Sequence, residues 1–159
     1  MKRFLQTLGI VLVCLVVILL VLSVTGFGPH ERMPGLWLKG NLVTTPVIDW
    51  SFTENIPVIQ IQTHTSYLLP HSVNINCLND NSQLYLVSVY PAGTRHSWNE
   101  NVIRDPHVRL KIGDQIYDRT AVLVSDPAEQ RAVLEARHKK YPQLKIPPNA
   151  TIYVFHVAG

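Results

Sequence analysis

The sequence is poor in cysteine and in charge, and both shortages exclude classes of protein. Cys14 and Cys77 are its two cysteines, too few for a disulfide scaffold or a zinc site made of cysteines alone. Charged residues make up 16% of the 159 residues and hydrophobic residues 47%, which excludes a disordered chain. Within residues 36–159, eleven Lys and Arg face ten Asp and Glu. Because no basic face is concentrated anywhere, we predict no nucleic-acid partner.

Motifs of common hydrolases and nucleotide-binding proteins are also absent. The chain has no Gly-x-Ser-x-Gly, no glycine-rich phosphate loop and no His-Glu-x-x-His. The spacing of its histidines fits no standard zinc signature, so we predict no metal site. Any chemistry would therefore be carried by a cofactor, with the protein supplying binding and orientation.

One long hydrophobic run, residues 4–24, lies near the N-terminus. As a helix it is long enough to span the roughly 30 Å hydrocarbon core of a bilayer. A cleaved signal peptide is the alternative, but its apolar stretch is usually about 7–15 residues long. We therefore predict a single-pass transmembrane signal anchor over residues 1–25, in contact with lipid through residues 4–24. Lys2 and Arg3 favour a cell-membrane protein with its N-terminus inside and its domain extracytoplasmic.

The remainder is predicted to be a linker, residues 26–41, followed by one domain, residues 42–159. Glycine and proline punctuate the linker, which has no lasting period. In the domain, alternating or apolar runs predict strands at residues 57–65, 72–77, 84–90, 107–112, 116–125 and 151–157. Helices are predicted at residues 96–104 and at 130–140, the latter ending in a basic run, 137–140, that we predict to be solvated. The fold class is mainly β with two helices (α+β), either a small antiparallel barrel or an open α+β sandwich.

Several motifs follow one another in a set order between residues 57 and 157. A strand ending in Thr63-His64-Thr65-Ser66 leads through a loop to Pro70-His71-Ser72, and Trp98-x-x-Asn101 precedes Asp105-Pro106-x-Val108 and a hairpin at Gly113. This succession resembles the flavin-binding split barrels, the superfamily of pyridoxamine-phosphate oxidases and deazaflavin-dependent nitroreductases. The resemblance implies a six-stranded antiparallel split β-barrel, a homodimer, and a flavin or deazaflavin near the dimer interface.

The resemblance also implies which residues bind the cofactor. The donors to its phosphate would be Thr63, Thr65, Ser66, His71 and Ser72. Positive potential would come from Arg95 and from the N-terminus of the helix that follows it. The ring system would lie beside Val87 and Ser88, and the helix beneath it would be held by Trp98 and Asn101.

The loop between the first two strands of the domain departs from that pattern. Deazaflavin-dependent members carry a glycine with basic residues there, whereas this chain has Ser66-Tyr67-Leu68-Leu69. The change removes charge-assisted phosphate contacts, which are normally the strong ones. FMN, a deazaflavin, haem and the absence of any cofactor therefore all stay open.

Three functions are consistent with these features. The first is a membrane-anchored oxidoreductase that passes electrons or hydride through FMN or a deazaflavin to a small acceptor such as a quinone. The second is a non-catalytic binding or assembly subunit of a membrane complex, with the same fold and no competent cofactor site. The third is a haem-binding barrel that uses a histidine such as His64 or His71.

Overall fold

The computed structural model describes residues 2–94 and 97–158. Its three helices within those ranges are α1 (Lys2–Thr25), α2 (Ser97–Arg104) and α3 (Pro127–Lys140). Its strands there are β1 (Asn41–Leu42), β2 (Val58–Thr63), β3 (His71–Asp80), β4 (Gln83–Tyr90), β5 (His107–Ile112), β6 (Gln115–Leu123) and β7 (Thr151–Ala158). Each of the six strands predicted from sequence corresponds to one of the strands β2–β7.

Strands β2 to β7 close into a six-stranded antiparallel barrel. The pairs run in the order β2–β3–β4–β7–β6–β5 and return to β2. The pairing of β6 with β7, from Thr120 opposite Ala158 to Leu123 opposite Phe155, completes the ring. The split-barrel prediction is therefore confirmed, and the alternative of an open α+β sandwich is wrong.

The barrel closes around its hydrophobic side chains because the strands alternate. On β2, Ile59 and Ile61 point into the core, while Gln60 and Gln62 are only half-buried. Aromatic residues join α2 to the barrel. The ring centroid of Trp98 on α2 lies 5.6 Å from that of Phe155 on β7, and both residues belong to the core. A second, smaller cluster under α3 includes Val133 and Tyr85.

The N-terminal helix α1 is the one helix of the described residues long and apolar enough to cross a membrane, and its span from Arg3 to Thr25 is unburied. The segment after α1 is held by backbone hydrogen bonds, both within itself and to β3. Phe27 donates its N–H to the carbonyl of Trp37 at 2.9 Å, and Gly35 exchanges two backbone hydrogen bonds with Ser72, at 2.8 and 2.9 Å. We call residues 26–40 the strap, because they fold into a hairpin on the outer face of β2 and β3.

Gly35 occupies a position of the strap where a side chain has no room. A Cβ atom there would lie 2.4 Å from the carbonyl carbon of Gly28. The adjoining Leu38 is 1% exposed and donates its N–H to Gln62 Oε1 at 2.7 Å. The strap is thus part of the folded unit formed by the barrel.

Candidate functional site

A cavity opens where β3 and β4 diverge. The first pair between these strands is Cys77 opposite Leu86, so residues 71–76 of β3 and 87–90 of β4 separate from each other. The gap forms a cavity of about 580 Å³, which we call the β3–β4 cavity. Its lining comprises Asn74, Ile75, Asn76, Val87, Ser88, Val89, Trp98, Arg137, Gln143, Leu144, Lys145 and Pro147.

The wall made by β4 and α2 is held by a buried amide. Asn99 donates through Nδ2 to the Ser88 hydroxyl at 3.0 Å and to the Tyr90 hydroxyl at 3.3 Å. The other end of this amide, Oδ1, is buried without a hydrogen-bond partner in the described part of the chain. Ser88 is thereby fixed near Val87, which was also predicted to lie beside the cofactor ring, and near Trp98, which was predicted to hold the helix beneath it.

A buried cation lines the opposite side of the cavity. Arg137 of α3 is 8% exposed, and its Nη1 donates to the carbonyl oxygen of Leu144 at 3.0 Å. Burial lowers the pKa of its guanidinium. The prediction that residues 137–140 form a solvated helix end is wrong for Arg137, and also for half-buried Lys140, whose Nζ donates to the Thr53 carbonyl at 2.9 Å.

The helix α2 is tied to the barrel by a second buried amide. Asn101 donates through Nδ2 to Thr63 Oγ1 at 3.0 Å, and Thr63 in turn donates to the carbonyl of His71 at 3.2 Å. Arg104 donates to Asn101 Oδ1 at 3.2 Å and to the carbonyl of His64 at 2.5 Å. The predicted residues Thr63 and Asn101 therefore contact each other, and their polar atoms hold α2 against β2.

In the loop between β2 and β3, the hydroxyl of Thr65 is hydrogen-bonded to the backbone of the same loop. Thr65 Oγ1 lies 2.6 Å from the carbonyl oxygens of both Tyr67 and Leu69, which share its single hydrogen. Ser66, Tyr67 and Leu68 are exposed at the tip of the loop. Thus no Lys or Arg lies in this loop, and the hydroxyl of Thr65 is already engaged.

The start of β3 carries two buried polar atoms without partners among the described residues, His71 Nδ1 and Ser72 Oγ. Burial lowers the pKa of the His71 imidazole, which favours its neutral form. Ser72 is covered by the strap through its backbone pair with Gly35. The last predicted residue, Arg95, lies outside the described residues.

These features can be tested against the shape and charge of a flavin-type cofactor. The β3–β4 cavity has a volume in the usual range for cofactor sites, and six of its twelve lining residues are apolar while six are polar or charged. It also has two cations, Arg137 and Lys145, which sequence reasoning did not select. The cavity therefore has the size and the groups that a ring system needs, whereas the loop at residues 64–70 offers no Lys or Arg to a cofactor phosphate.

Comparison with known proteins agrees with this architecture. A conserved hypothetical protein from Mycobacterium tuberculosis has a TM-score of 0.55 at 14% identity, covering 75% of this chain and 85% of its own. HutZ, the haem storage protein from Vibrio cholerae, has a TM-score of 0.53 at 13% identity, covering 68% and 84%. A NimC/NimA family protein from Clostridium acetobutylicum has a TM-score of 0.50 at 14% identity, covering 67% and 75%. At these identities the likeness concerns the fold, and it places the chain among the split barrels.

The family is defined by sequence. The profile of the family described as F420H(2)-dependent quinone reductase matches residues 60–146, which is more than half of the chain. The chain belongs to this family, whose matched range contains Trp98-x-x-Asn101 and eleven of the twelve residues that line the β3–β4 cavity. A comparison with curated proteins gives no match.

Proposed function

We propose that the protein is a membrane-anchored reductase that binds a flavin-type cofactor, a deazaflavin in preference to FMN, in the β3–β4 cavity. Its acceptor would be a small molecule such as a quinone. The observation that carries this proposal is the cavity itself, with apolar walls, fixed polar groups and a buried guanidinium. Family membership favours the deazaflavin. When bound, such a cofactor supplies hydride transfer.

The lining residues have distinct tasks in this proposal. Trp98, Val87 and Val89 would contact the ring and exclude water, which strengthens every electrostatic interaction in the cavity. Ser88, held by Asn99, would present a hydroxyl to the polar edge of the ring. Arg137 would supply the positive potential for the cofactor phosphate, in place of the basic loop residues that this chain lacks.

The anchor supports an acceptor that dissolves in the bilayer. Helix α1 ends at Thr25, and Phe27 is already hydrogen-bonded within the strap. A barrel attached by so short a connection would stay close to the bilayer, in which lipophilic quinones dissolve. The cytoplasmic N-terminus, the extracytoplasmic domain and the homodimer remain parts of the proposal, to be tested by cysteine accessibility and by mass measurement in detergent.

Cofactor binding can be tested on the full chain in mild detergent. We expect the deazaflavin coenzyme, and more weakly FMN, to bind with a shifted visible absorption band. Val89→Trp fills the cavity and should weaken binding at least tenfold. Val122→Trp, which adds the same side chain at an exposed position of β6, should not change it. Equal affinity of the two variants for the cofactor would show that the cofactor does not bind in this cavity.

The loop at residues 64–70 favours a second candidate, the non-catalytic binding or assembly subunit. Its tip is uncharged, and the hydroxyl of Thr65 is bonded to the loop itself. In that case the purified chain binds neither deazaflavin nor FMN. The haem-binding reading is tested by the same spectra, since it predicts a Soret band that His71→Ala abolishes.

A further inference from the structure

A second concave site lies on the outer face of the barrel, away from the β3–β4 cavity. It is a groove of about 400 Å³ where β2, β5 and β6 meet the end of β7. We call it the outer groove. Its lining comprises Gln62, His64, His107, Val108, Arg109, Asp118, Arg119, Thr120 and Ala158.

The two imidazoles that line the groove, those of His64 and His107, are held by a single carboxylate. Asp105, just after α2, accepts from His64 Nδ1 through Oδ2 and from His107 Nδ1 through Oδ1, both at 2.8 Å. The backbone N–H of His107 adds a third contact to Oδ1, at 3.1 Å. These hydrogen bonds, those from His107 foremost, lower the pKa of Asp105 to about 2, so it stays ionised. Because both Nδ1 atoms bind the carboxylate, the two Nε2 atoms are left for a ligand.

The guanidinium groups of the groove differ in how far they are neutralised. Arg109 forms a two-point ion pair with Asp118, at 2.7 and 2.8 Å. Arg119 donates only to backbone carbonyls, those of Asp118 at 2.8 Å and Thr45 at 2.9 Å, and its Nε is buried without a partner in the described residues. The guanidinium carbon of Arg119 also lies 6.0 Å from the ring centroid of Trp50 and 5.6 Å from that of Tyr117. Arg119 is therefore fixed beside the groove, and its Nη1 and Nη2 each keep a second hydrogen for a ligand.

The protonation of the two histidines sets the size of the positive charge in the groove. Five charged groups face them: Arg104 at the end of α2, Asp105 just after it, Arg109 on β5, and Asp118 and Arg119 on β6. Three guanidiniums against two carboxylates give a net charge of +1 when both imidazoles are neutral. Protonation of both raises it to +3 and turns both Nε2 atoms into donors.

We propose that the outer groove is a binding site for a phosphate monoester group, held by His64, His107 and Arg119 when the two imidazoles are protonated. Such a group offers several strong acceptors and up to two negative charges, which match two N–H donors and a guanidinium. Asp105 acts as a positioning residue, since it orients both imidazoles and does not itself contact the anion. This proposal does not depend on the reductase function, because the groove shares none of the lining residues of the β3–β4 cavity.

Inorganic sulfate is the first probe, because its charge stays the same between pH 5.5 and 8.0 while that of a phosphate ester changes near pH 6. The full chain in detergent would be titrated with sulfate and then with inorganic phosphate, while the imidazole Cε1–H resonances are followed by NMR. We expect sulfate to bind at least about tenfold more tightly at pH 5.5 than at pH 8.0. The resonances of His64 and His107 should shift on binding.

Three variants separate a built site from general attraction. The double variant His64→Gln/His107→Gln should lose the pH dependence, whereas His138→Gln, on an exposed position of α3, should keep it. Asp105→Asn removes one negative charge, so binding should strengthen if only net charge matters. We expect binding to weaken instead, because the imidazoles lose their common acceptor. Equal binding at both pH values, or tighter binding by Asp105→Asn, would overturn the proposal.

The source of the phosphate group is distinguished by two further titrations. Glycerol 3-phosphate represents a soluble ester, and nanodiscs that contain phosphatidic acid represent a lipid headgroup, with phosphatidylcholine nanodiscs as their control. Displacement of sulfate by one of these assigns the source. Displacement by neither means that the groove binds sulfate without recognising phosphate monoesters, which also overturns the proposal.

Discussion

The side chain of Asn101 joins α2 to the barrel, and its removal should destabilise the whole domain. In Asn101→Ala, the bond from Nδ2 to Thr63 Oγ1 (3.0 Å) and the bond from Arg104 to Oδ1 (3.2 Å) are both lost. Each such bond contributes about 0.5–1.5 kcal/mol, and Thr63, which is fully buried, would be left with an acceptor that water cannot reach. We therefore expect the free energy of unfolding to fall by about 2 kcal/mol.

Urea unfolding of the full chain in detergent, followed by tryptophan fluorescence, measures this loss. Trp98 is a suitable reporter because it lies on α2 with its ring packed against Phe155. A matched control is Asn55→Ala, at an exposed position, which should change stability by less than about 0.5 kcal/mol.

A double-mutant cycle between Asn101 and Thr63 tests whether their hydrogen bond causes the loss of stability. Thr63→Val removes the same bond from the other side, so the double variant should lose about 1 kcal/mol less than the sum of the single losses. Additive losses, or a loss below about 0.5 kcal/mol in Asn101→Ala, would refute the view that Asn101 acts mainly by holding α2.

Three further outcomes are expected from named contacts. The pKa of Asp105 is lowered from about 3.8 to about 2, so the ionised carboxylate stabilises the fold above pH 4. That stabilisation is lost as the pH falls from about 4 to 2. The melting temperature of Asp105→Asn should therefore depend less on pH in that window than the melting temperature of the unchanged chain. The carboxylate of Asp126 accepts from the backbone N–H groups of Ala128 and Glu129 at 3.2 and 3.1 Å. Asp126→Ala should therefore lower the free energy of unfolding in urea by about 1 kcal/mol. An unchanged urea midpoint would contradict the role of Asp126 as the N-cap of α3. Leu12→Arg and Val16→Arg together place two charges near the middle of α1, at a cost of about 5–7 kcal/mol for insertion. The chain should then move from the carbonate-resistant membrane fraction to the soluble fraction, and its retention in the membrane fraction would argue against a spanning helix.

The strands of the barrel could be predicted because their chemistry repeats locally. The alternation of Ile59 and Ile61 with Gln60 and Gln62 is visible in the sequence, and the structure places the isoleucines inside. The same holds for β5, where the predicted bounds 107–112 agree with the observed strand. The turn chemistry of Asp126-Pro127 likewise predicts the start of α3.

The site depended on contacts that have no local pattern. Arg137 stands in a basic run typical of a solvated helix end, and its burial follows only from the loop that returns over it with Leu144. Asp105 lies 41 residues from His64, so nothing in the sequence spacing indicates that one carboxylate holds two imidazoles. The strap is a further case, since Gly35 meets Ser72 through backbone groups that every residue possesses.

The short connection between α1 and the barrel leads to a last prediction about the acceptor. Only Gly26 separates the end of the helix from Phe27, whose N–H is bonded to Trp37. If the cavity works on a molecule dissolved in the bilayer, this proximity is part of the function. A flexible Gly/Ser insertion of twenty residues between Thr25 and Gly26 would let the barrel move by about 25 Å from its anchor.

In proteoliposomes, the insertion should slow reduction of a long-chain quinone severalfold. Reduction of a water-soluble quinone with the same ring should be unchanged, because the β3–β4 cavity and the strap are not altered. An equal rate with the long-chain quinone would show that closeness to the bilayer is unimportant, and the acceptor would then have to be sought in water. An equal loss with both quinones would instead show that the insertion damages the barrel, which urea unfolding of the same variant would reveal as a lowered midpoint.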